Sequence, residues 1–214
     1  MLHIETFVVN MIQENCYVLH DETHEAVIID DGAYYQEEKK SIEDYIENNH
    51  LKLVHMLNTN AHLDHEFGNR AIYDRYGLEA EFHQADSDLY KMLSLQAQSI
   101  MGVKLDIETT PVSRYLKEGD KVAFGNHTLN IIETPGHTPG GICFYCEDEK
   151  VLFSGDSLFW QSIGRTDFPE SDGVALIKSL KEKVLTLPED TSVLTGHGPS
   201  TTIGEEKRKN IYFR

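Results

Sequence analysis

Short apolar runs that end beside a glycine and a histidine or aspartate recur along this chain of 214 residues, and helical stripes separate them. Residues 2–9 and 16–20 have the length and character of strands, and Ala26-Val27-Ile28-Ile29 is apolar at every position, as expected of a strand buried on both faces. Residues 53–57 are apolar apart from His55 and also read as a strand. Ile42, Tyr45 and Ile46 fall at helical spacing among charged residues, as do Leu176, Ile177, Leu180 and Val184, so both segments predict amphipathic helices with one face on a sheet. A third helix is predicted over 66–76, with Gly77 as its stop. The second half predicts strands over 121–124, 128–132, 142–145, 151–153 and 192–194. Between the halves, residues 84–117 are long for a connection. Their Leu89, Met92, Leu93, Leu95, Ile100 and Met101 predict helix packed near the functional site, as a lid over a substrate or as core. The class is α/β (α+β by some schemes), in one domain over 1–214 with no Gly/Ser/Pro-rich linker.

Length adds that the chain can bury roughly 70% of its unfolded surface and needs no disulfide. No export signal precedes the first strand, and Cys16, Cys143 and Cys146 sit in apolar segments, which points to a reducing, cytoplasmic protein. Cys143 and Cys146 make a lone CxxC whose side chains, in a strand, face opposite ways, so buried structural cysteines are expected. No apolar run approaches the roughly 20 residues of a membrane helix. A formal net charge of −17 opposes a phosphate backbone, and the one basic cluster, Lys207-Arg208-Lys209, reads as a helix face with cations at its C-terminal end. No nucleic-acid partner is expected. The charge leaves the oligomeric state open.

Candidate chemistry lies at the ends of the runs. Residues 26–29 lead to Asp30 before Gly32, and 53–57 lead to Asn60-Ala61-His62-Leu63-Asp64-His65. Residues 128–132 lead to Thr134-Pro135-Gly136-His137-Thr138-Pro139-Gly140, 151–153 to Ser154-Gly155-Asp156, and 193–194 to Thr195-Gly196-His197-Gly198-Pro199. Imidazole and carboxylate together suit zinc and related divalent ions, and the carboxyl ends of strands in open α/β sheets are where ligands bind. A single loop histidine is more often solvated or hydrogen-bonded, which is the reading for His3, His20, His24 and His50. His55 and His127 read as structural strand residues, and His83 as a strand end near a substrate.

The HxHxDH-like loop, the PGHTPG turn, the Gly155-Asp156 pair and the Gly196-His197-Gly198-Pro199 turn together resemble the metallo-β-lactamase fold hydrolases. Asn15-Cys16-Tyr17, Ile29-Asp30-Asp31-Gly32 and Gly164-Arg165-Thr166-Asp167-Phe168-Pro169 bring the chain nearest to short bacterial glyoxalase II-like (hydroxyacylglutathione hydrolase-like) enzymes. The resemblance covers the whole chain and implies a four-layer αβ/βα sandwich with its metal centre at one edge. It implies a first site at position 60, His62 and His137, a second at Asp64, His65 and His197, Asp156 bridging the two, and Asp30 orienting a ligand histidine. Asn60 stands where the family has histidine. An amide oxygen is a weaker zinc donor than imidazole, so the first site is expected to hold metal weakly and the second firmly.

The resemblance also implies chemistry. One or two divalent ions, zinc before iron or manganese, would lower the pKa of bound water from about 16 to about 7, giving a metal-bound hydroxide that attacks a thioester such as S-lactoylglutathione. Asp64 is the catalytic residue that would orient it. No substrate-binding residue is assigned; Tyr90 and Arg165 are candidate contacts, with an ion pair to Asp167 preferred for Arg165. The alternatives are a persulfide dioxygenase-like iron oxidoreductase, which Asn60 weakens, and a catalytically impaired metal- or ligand-binding relative. β-Lactam hydrolysis would normally need export, and nuclease action a basic groove.

Overall fold

The computed structural model describes residues 1–214, apart from the side chains of Ile100 and Met101. The first sheet takes its strands in chain order: β1 (His3–Val9), β2 (Glu14–His20), β3 (Glu25–Ile29), β4 (Lys52–Leu57), β5 (Ala80–His83) and β6 (Val112–Leu116). β1, β2 and β3 pair antiparallel, and β3 to β6 run parallel, so the carboxyl ends of β3 and β4 lie on one edge. The second sheet is built from β7 (Lys121–Phe124), β8 (His127–Glu133), β9 (Ile142–Cys146), β10 (Val151–Gly155), β13 (Ser192–Thr195) and β14 (Thr201–Thr202), in the order β14-β13-β10-β9-β8-β7. A short hairpin of β11 (Leu158–Phe159) and β12 (Ser162–Ile163) follows β10.

The period-two alternation of side chains decides the layers. Tyr17, Leu19, Val27, Ile29 and Leu57 point from the first sheet into the core between the sheets, where they meet Val122, Phe124, Leu129, Ile131, Ile142, Phe144, Cys146 and Phe153 of the second. The alternate positions Cys16, Val18, Ala26, Ile28 and Met56 face outward onto Ile42 and Ile46 of α1 (Gln36–Asn48), Ile72 of α2 (Asn69–Tyr76), Tyr90 of α3 (Ser87–Lys91) and Leu93 and Ala97 of α4 (Leu93–Met101). On the other outer face, Cys143, Tyr145, Leu152 and Val193 pack against Leu176 and Leu180 of α5 (Gly173–Glu182) and Ile203 of α6 (Ile203–Lys209). The expected αβ/βα sandwich is the observed one. Cys143 and Cys146 face opposite cores, and all three cysteines are free and buried. No helix among the described residues is long and apolar enough to cross a membrane.

Two departures bear on the site. The helix expected from residue 66 begins only at Asn69. Before it, residues 63–65 form one tight helical turn, the Gly68 amide donates to the Asp31 carbonyl (2.7 Å), and Asn58 Nδ2 donates to the His65 carbonyl (2.8 Å). These long-range bonds hold the backbone out of regular helix. The segment 84–117 contains the expected helix as α3 and α4, and also β6, whose middle residues are exposed and carry no apolar alternation. Of the apolar residues read there, Leu93 enters the core, Leu89 packs partly buried against it, and Met92 and Leu95 stay exposed; the side chains of Ile100 and Met101 lie outside the described residues.

Candidate metal centre

Five loops meet at one edge of the sandwich. The Asp30 carboxylate, held at a positive φ of 55° just past β3, accepts both the Thr59 amide and its hydroxyl at 2.7 Å, which fixes where the loop after β4 starts. Gly155, at φ 47°, lies against Thr59; a Cβ there would come within 2.1 Å of Thr59 Oγ1, so the approach requires glycine. From the other side of the site, Asn15 Nδ2 and Tyr17 Oη of β2 both donate to the Thr195 carbonyl, at 2.9 and 2.6 Å, and anchor the turn that carries His197. These contacts give the Asn15-Cys16-Tyr17 motif a structural task.

The turn at residues 63–65 places Asp64 and His65 beside Asp156 and His197. One ligand atom from each of these four residues lies within 4.8 Å of the others. His65 Nε2 is 3.6 Å from Asp64 Oδ2 and 3.5 Å from Asp156 Oδ1, and His197 Nε2 is 3.0 Å from Asp64 Oδ2 and 3.7 Å from Asp156 Oδ2. On the outward side, His65 Nδ1 lies 3.1 Å from Asp30 Oδ2, and His197 Nδ1 is 3.2 Å from the carbonyls of Ile12 and Gln13. A few ångströms away, His137 Nε2 approaches Asp156 Oδ2 (3.4 Å) and His62 Nδ1 (2.9 Å). His137 Nδ1 donates to the Arg165 carbonyl (2.8 Å), and His62 Nε2 donates to Glu170 Oε1 (3.3 Å).

In all four imidazoles, therefore, the outward nitrogen faces an oxygen acceptor and the other nitrogen points inward. Outer acceptors fix the tautomer, and the inward nitrogens then offer lone pairs to a common centre. His62 Nδ1 and His137 Nε2 lie 2.9 Å apart, at hydrogen-bond distance, and a cation beside them could take both lone pairs instead. His65 Nε2 and Asp156 Oδ1 are fully buried with no hydrogen-bond partner. Unpartnered buried polar atoms aimed at one point are what a metal ion satisfies, and the donor set of imidazole and carboxylate is that of zinc, iron or manganese. The residues at Asp64, His65, Asp156 and His197 fit a divalent ion as a complete set.

The electrostatics agree. Burial acts against charge at every one of these groups, but for His65 the carboxylates of Asp30, Asp64 and Asp156 outweigh it and raise its pKa well above the usual imidazole value; His197 is also raised, mainly through Asp64. Asp64 and Asp156 are lowered despite their burial, His65 being the largest cause in each. His62 behaves oppositely: burial, with His137 beside it, pushes it down to about 4, so it is neutral at physiological pH. Three carboxylates thus demand positive charge around His65, and a proton and a divalent ion compete to supply it.

Asn60 is buried, yet its amide is spent within its own loop: Oδ1 accepts the His62 amide (2.9 Å) and Nδ2 donates to Thr59 Oγ1 (3.2 Å). Tyr90, a candidate substrate contact, is instead core, with its hydroxyl bonded to Thr110 (2.7 Å). Arg165 makes the preferred bidentate pair to Asp167, 2.7 Å for each bond, and lies over the Phe168 ring at 4.2 Å. Of the remaining histidines, His20 pairs with Tyr45, His55 with Glu81 and His83 with Glu133, while both ring nitrogens of His127 are buried without a hydrogen-bond partner. Sequence reading missed three positioning residues. Asp86 accepts from the Ala61 amide, Thr138 Oγ1 and the Gly140 amide (3.1, 2.8 and 2.6 Å) and ties two ligand loops together. Gln96 of α4 bonds the Leu63 amide and the Ala61 carbonyl, both at 3.0 Å. Glu170 is the third. None carries a local sequence signal, because each acts across 20 or more residues of chain.

The sandwich, the strand-end histidines and the buried carboxylates define a metallo-hydrolase of the β-lactamase fold, and the metallo-beta-lactamase superfamily model matches residues 9–197: the chain belongs to that superfamily. Within it, the hydroxyacylglutathione hydrolase GloC of Haemophilus influenzae is 37% identical over 213 residues, which cover 99% of this chain and 98% of that protein. Among solved structures, TTHA1623 in a di-iron-bound form superposes with a TM-score of 0.85 at 35% identity, covering 97% of this chain and 99% of its own. BLEG-1, a B3 metallo-beta-lactamase, gives a TM-score of 0.85 at 33% identity over 100% of this chain and 99% of its own.

Proposed function

We propose that this chain is a metal-dependent thioester hydrolase with an asymmetric centre, S-lactoylglutathione being the reference substrate. The convergence of the inward nitrogens of His65, His197 and His137 on Asp64 and Asp156, with His62 Nδ1 against His137, carries this reading, and the likeness to a hydroxyacylglutathione hydrolase supports the thioester. Asp64, His65, Asp156 and His197 hold one ion firmly. His62 and His137, with Asp156 and without a donor from Asn60, hold a second weakly; zinc is the first expectation, and the di-iron form of TTHA1623 makes iron its competitor.

A divalent ion at such a site supplies Lewis acidity and an acidified water at neutral pH. The chain supplies the rest. Asp64 is ionised and lines the cavity, where it would accept a hydrogen bond from the attacking water and so aim it. Phe168 packs edge-on against His62, ring centroids 5.0 Å apart, and with Ile12, Phe159 and Ile163 gives the 550 Å³ cavity apolar walls that limit competing water. A thiolate leaves without a general acid. The free, buried cysteines suit a cytoplasmic setting. Hydrolysis of S-D-lactoylglutathione that stops with chelator and returns with zinc, iron or manganese is the expected result. No turnover with any of the three metals would overturn the assignment.

A further inference from the structure

Resting on that reading, we infer that the preferred substrate is a thioester with an apolar acyl chain on an uncharged thiol carrier, seated in a groove between α4 and residues 164–170. The groove has a volume of about 890 Å³ and joins the cavity at the metal centre, Arg165 and Phe168 lining both. Helix α4 and the turn before it carry two apolar stripes. Leu93 and Ala97 enter the core and account for the helix's packing. Met92 and Leu95 are 40% and 59% exposed, and with Leu89, Phe168 and Pro169 they line the groove. Folding gives no reason for large apolar groups there, and a contiguous exposed apolar surface beside a reactive centre marks a ligand site.

Charge selects the occupant. Among the described residues lining groove and cavity, Arg165 is the only lysine or arginine, and the Nε/Nη2 edge of its guanidinium is bound to Asp167 while its face covers Phe168. Glu170 lines the groove, Asp64 and Asp156 line the cavity where the ion would balance them, and the chain as a whole carries −17. In the groove, a carrier with two carboxylates, such as glutathione, meets one guanidinium already paired with Asp167, the Glu170 carboxylate and no second lysine or arginine among the described residues, whereas an uncharged carrier with an apolar acyl chain has no such charge to place. In the reaction, water oxygen bonds to the acyl carbon and the C–S bond breaks. The electron pair leaves on sulfur, which takes up a proton, giving a carboxylic acid and a neutral thiol.

The test compares two non-hydrolysable thioethers by calorimetry on the full chain: uncharged S-hexyl-N-acetylcysteamine and anionic S-hexylglutathione. The uncharged ligand should bind about 10-fold more tightly, and Met92→Glu with Leu95→Glu should weaken it by about 10-fold while thermal unfolding shows the variant folded. Equal or tighter binding of S-hexylglutathione would overturn the inference, and that comparison needs no variant. Turnover separates the two levels of the argument. Hydrolysis of S-D-lactoylglutathione in preference to S-hexanoyl-N-acetylcysteamine would keep the hydrolase and remove the groove assignment. Thioether binding with no hydrolysis of either thioester would remove the hydrolase reading and the substrate class with it.

Discussion

The two halves of the centre are built from the same side-chain types but are not equivalent. Around His65 the chain concentrates carboxylates: Asp30 behind it, Asp64 and Asp156 before it, and the fully buried Glu14 at 3.9 Å from its Nδ1. Around His62 and His137 the carboxylates are fewer, Asp156 at 3.4 Å from His137 Nε2 and the partly exposed Glu170 at 3.3 Å from His62 Nε2, and burial has driven the His62 imidazole neutral. One half is therefore an electrostatic trap for a cation and the other a pair of donors with less negative charge around it. What separates them is the charge held around the donors more than the donors themselves, and Asn60 widens the gap by turning its oxygen back into the loop.

The comparison breaks most visibly if its stronger half is removed. Asp64→Asn should strip the firm ion and lower kcat/KM by about 10²–10³-fold, read by turnover with metal analysis of the purified protein. Retained metal and near-normal rate would dissolve the distinction. Asp30→Asn, one contact further out, should weaken metal binding at His65 by about 10–100-fold in chelator competition, with no matching change for a metal held by His62 and His137.

A pH series sharpens the same contrast. In chelated protein, His65 and His197 have raised pKa values, burial pushes Asp31 up to about 7, and buried Glu14 and Glu66 are also raised. Each of these groups binds more proton folded than unfolded, so their stabilisation is complete below their unfolded pKa values and is lost as pH rises through the folded ones. Asp64 and Asp156 have lowered values and act the other way, but only as pH falls below the unfolded carboxylate range. Tm of the chelated protein should fall between pH 5 and pH 8 by roughly 5 °C or more, and added metal should reverse the loss, because it displaces protons from the same nitrogens. A flat profile would mean that the carboxylates around His65 impose no such demand. The smallest expected effect is a gain: Asn60→His should tighten the weaker site by about 10-fold, and Glu170→Gln should loosen it by a similar factor, leaving the His65 side unchanged.

The layers were legible because alternation and helical spacing are local. Val27 and Ile29 against Ala26 and Ile28, or Cys143 against Cys146, fall into opposite cores as period two requires. Strand β6 was hidden because Ser113, Arg114 and Tyr115 are exposed at a sheet edge and show no pattern, and β11, β12 and β14 are two-residue pairings that only tertiary structure creates. The inward histidines and aspartates could be read because each follows an apolar run, His62, Asp64 and His65 in one dense cluster and His137, Asp156 and His197 each beside a glycine. Their supports could not: Asp86, Gln96 and Glu170 reach the site from distant segments, and a lone polar residue has no period. The orientation of Asn60 also lay beyond the sequence, since it depends on a hydrogen bond made two residues later.

The most direct test of the asymmetric centre is anomalous scattering from crystals grown with one metal in excess, refining occupancy at each position. The account predicts a fully occupied ion among Asp64, His65, Asp156 and His197, and a partial one at His62 and His137. Equal, full occupancy, with tetrahedral coordination completed at the first position by Asn60, would contradict it.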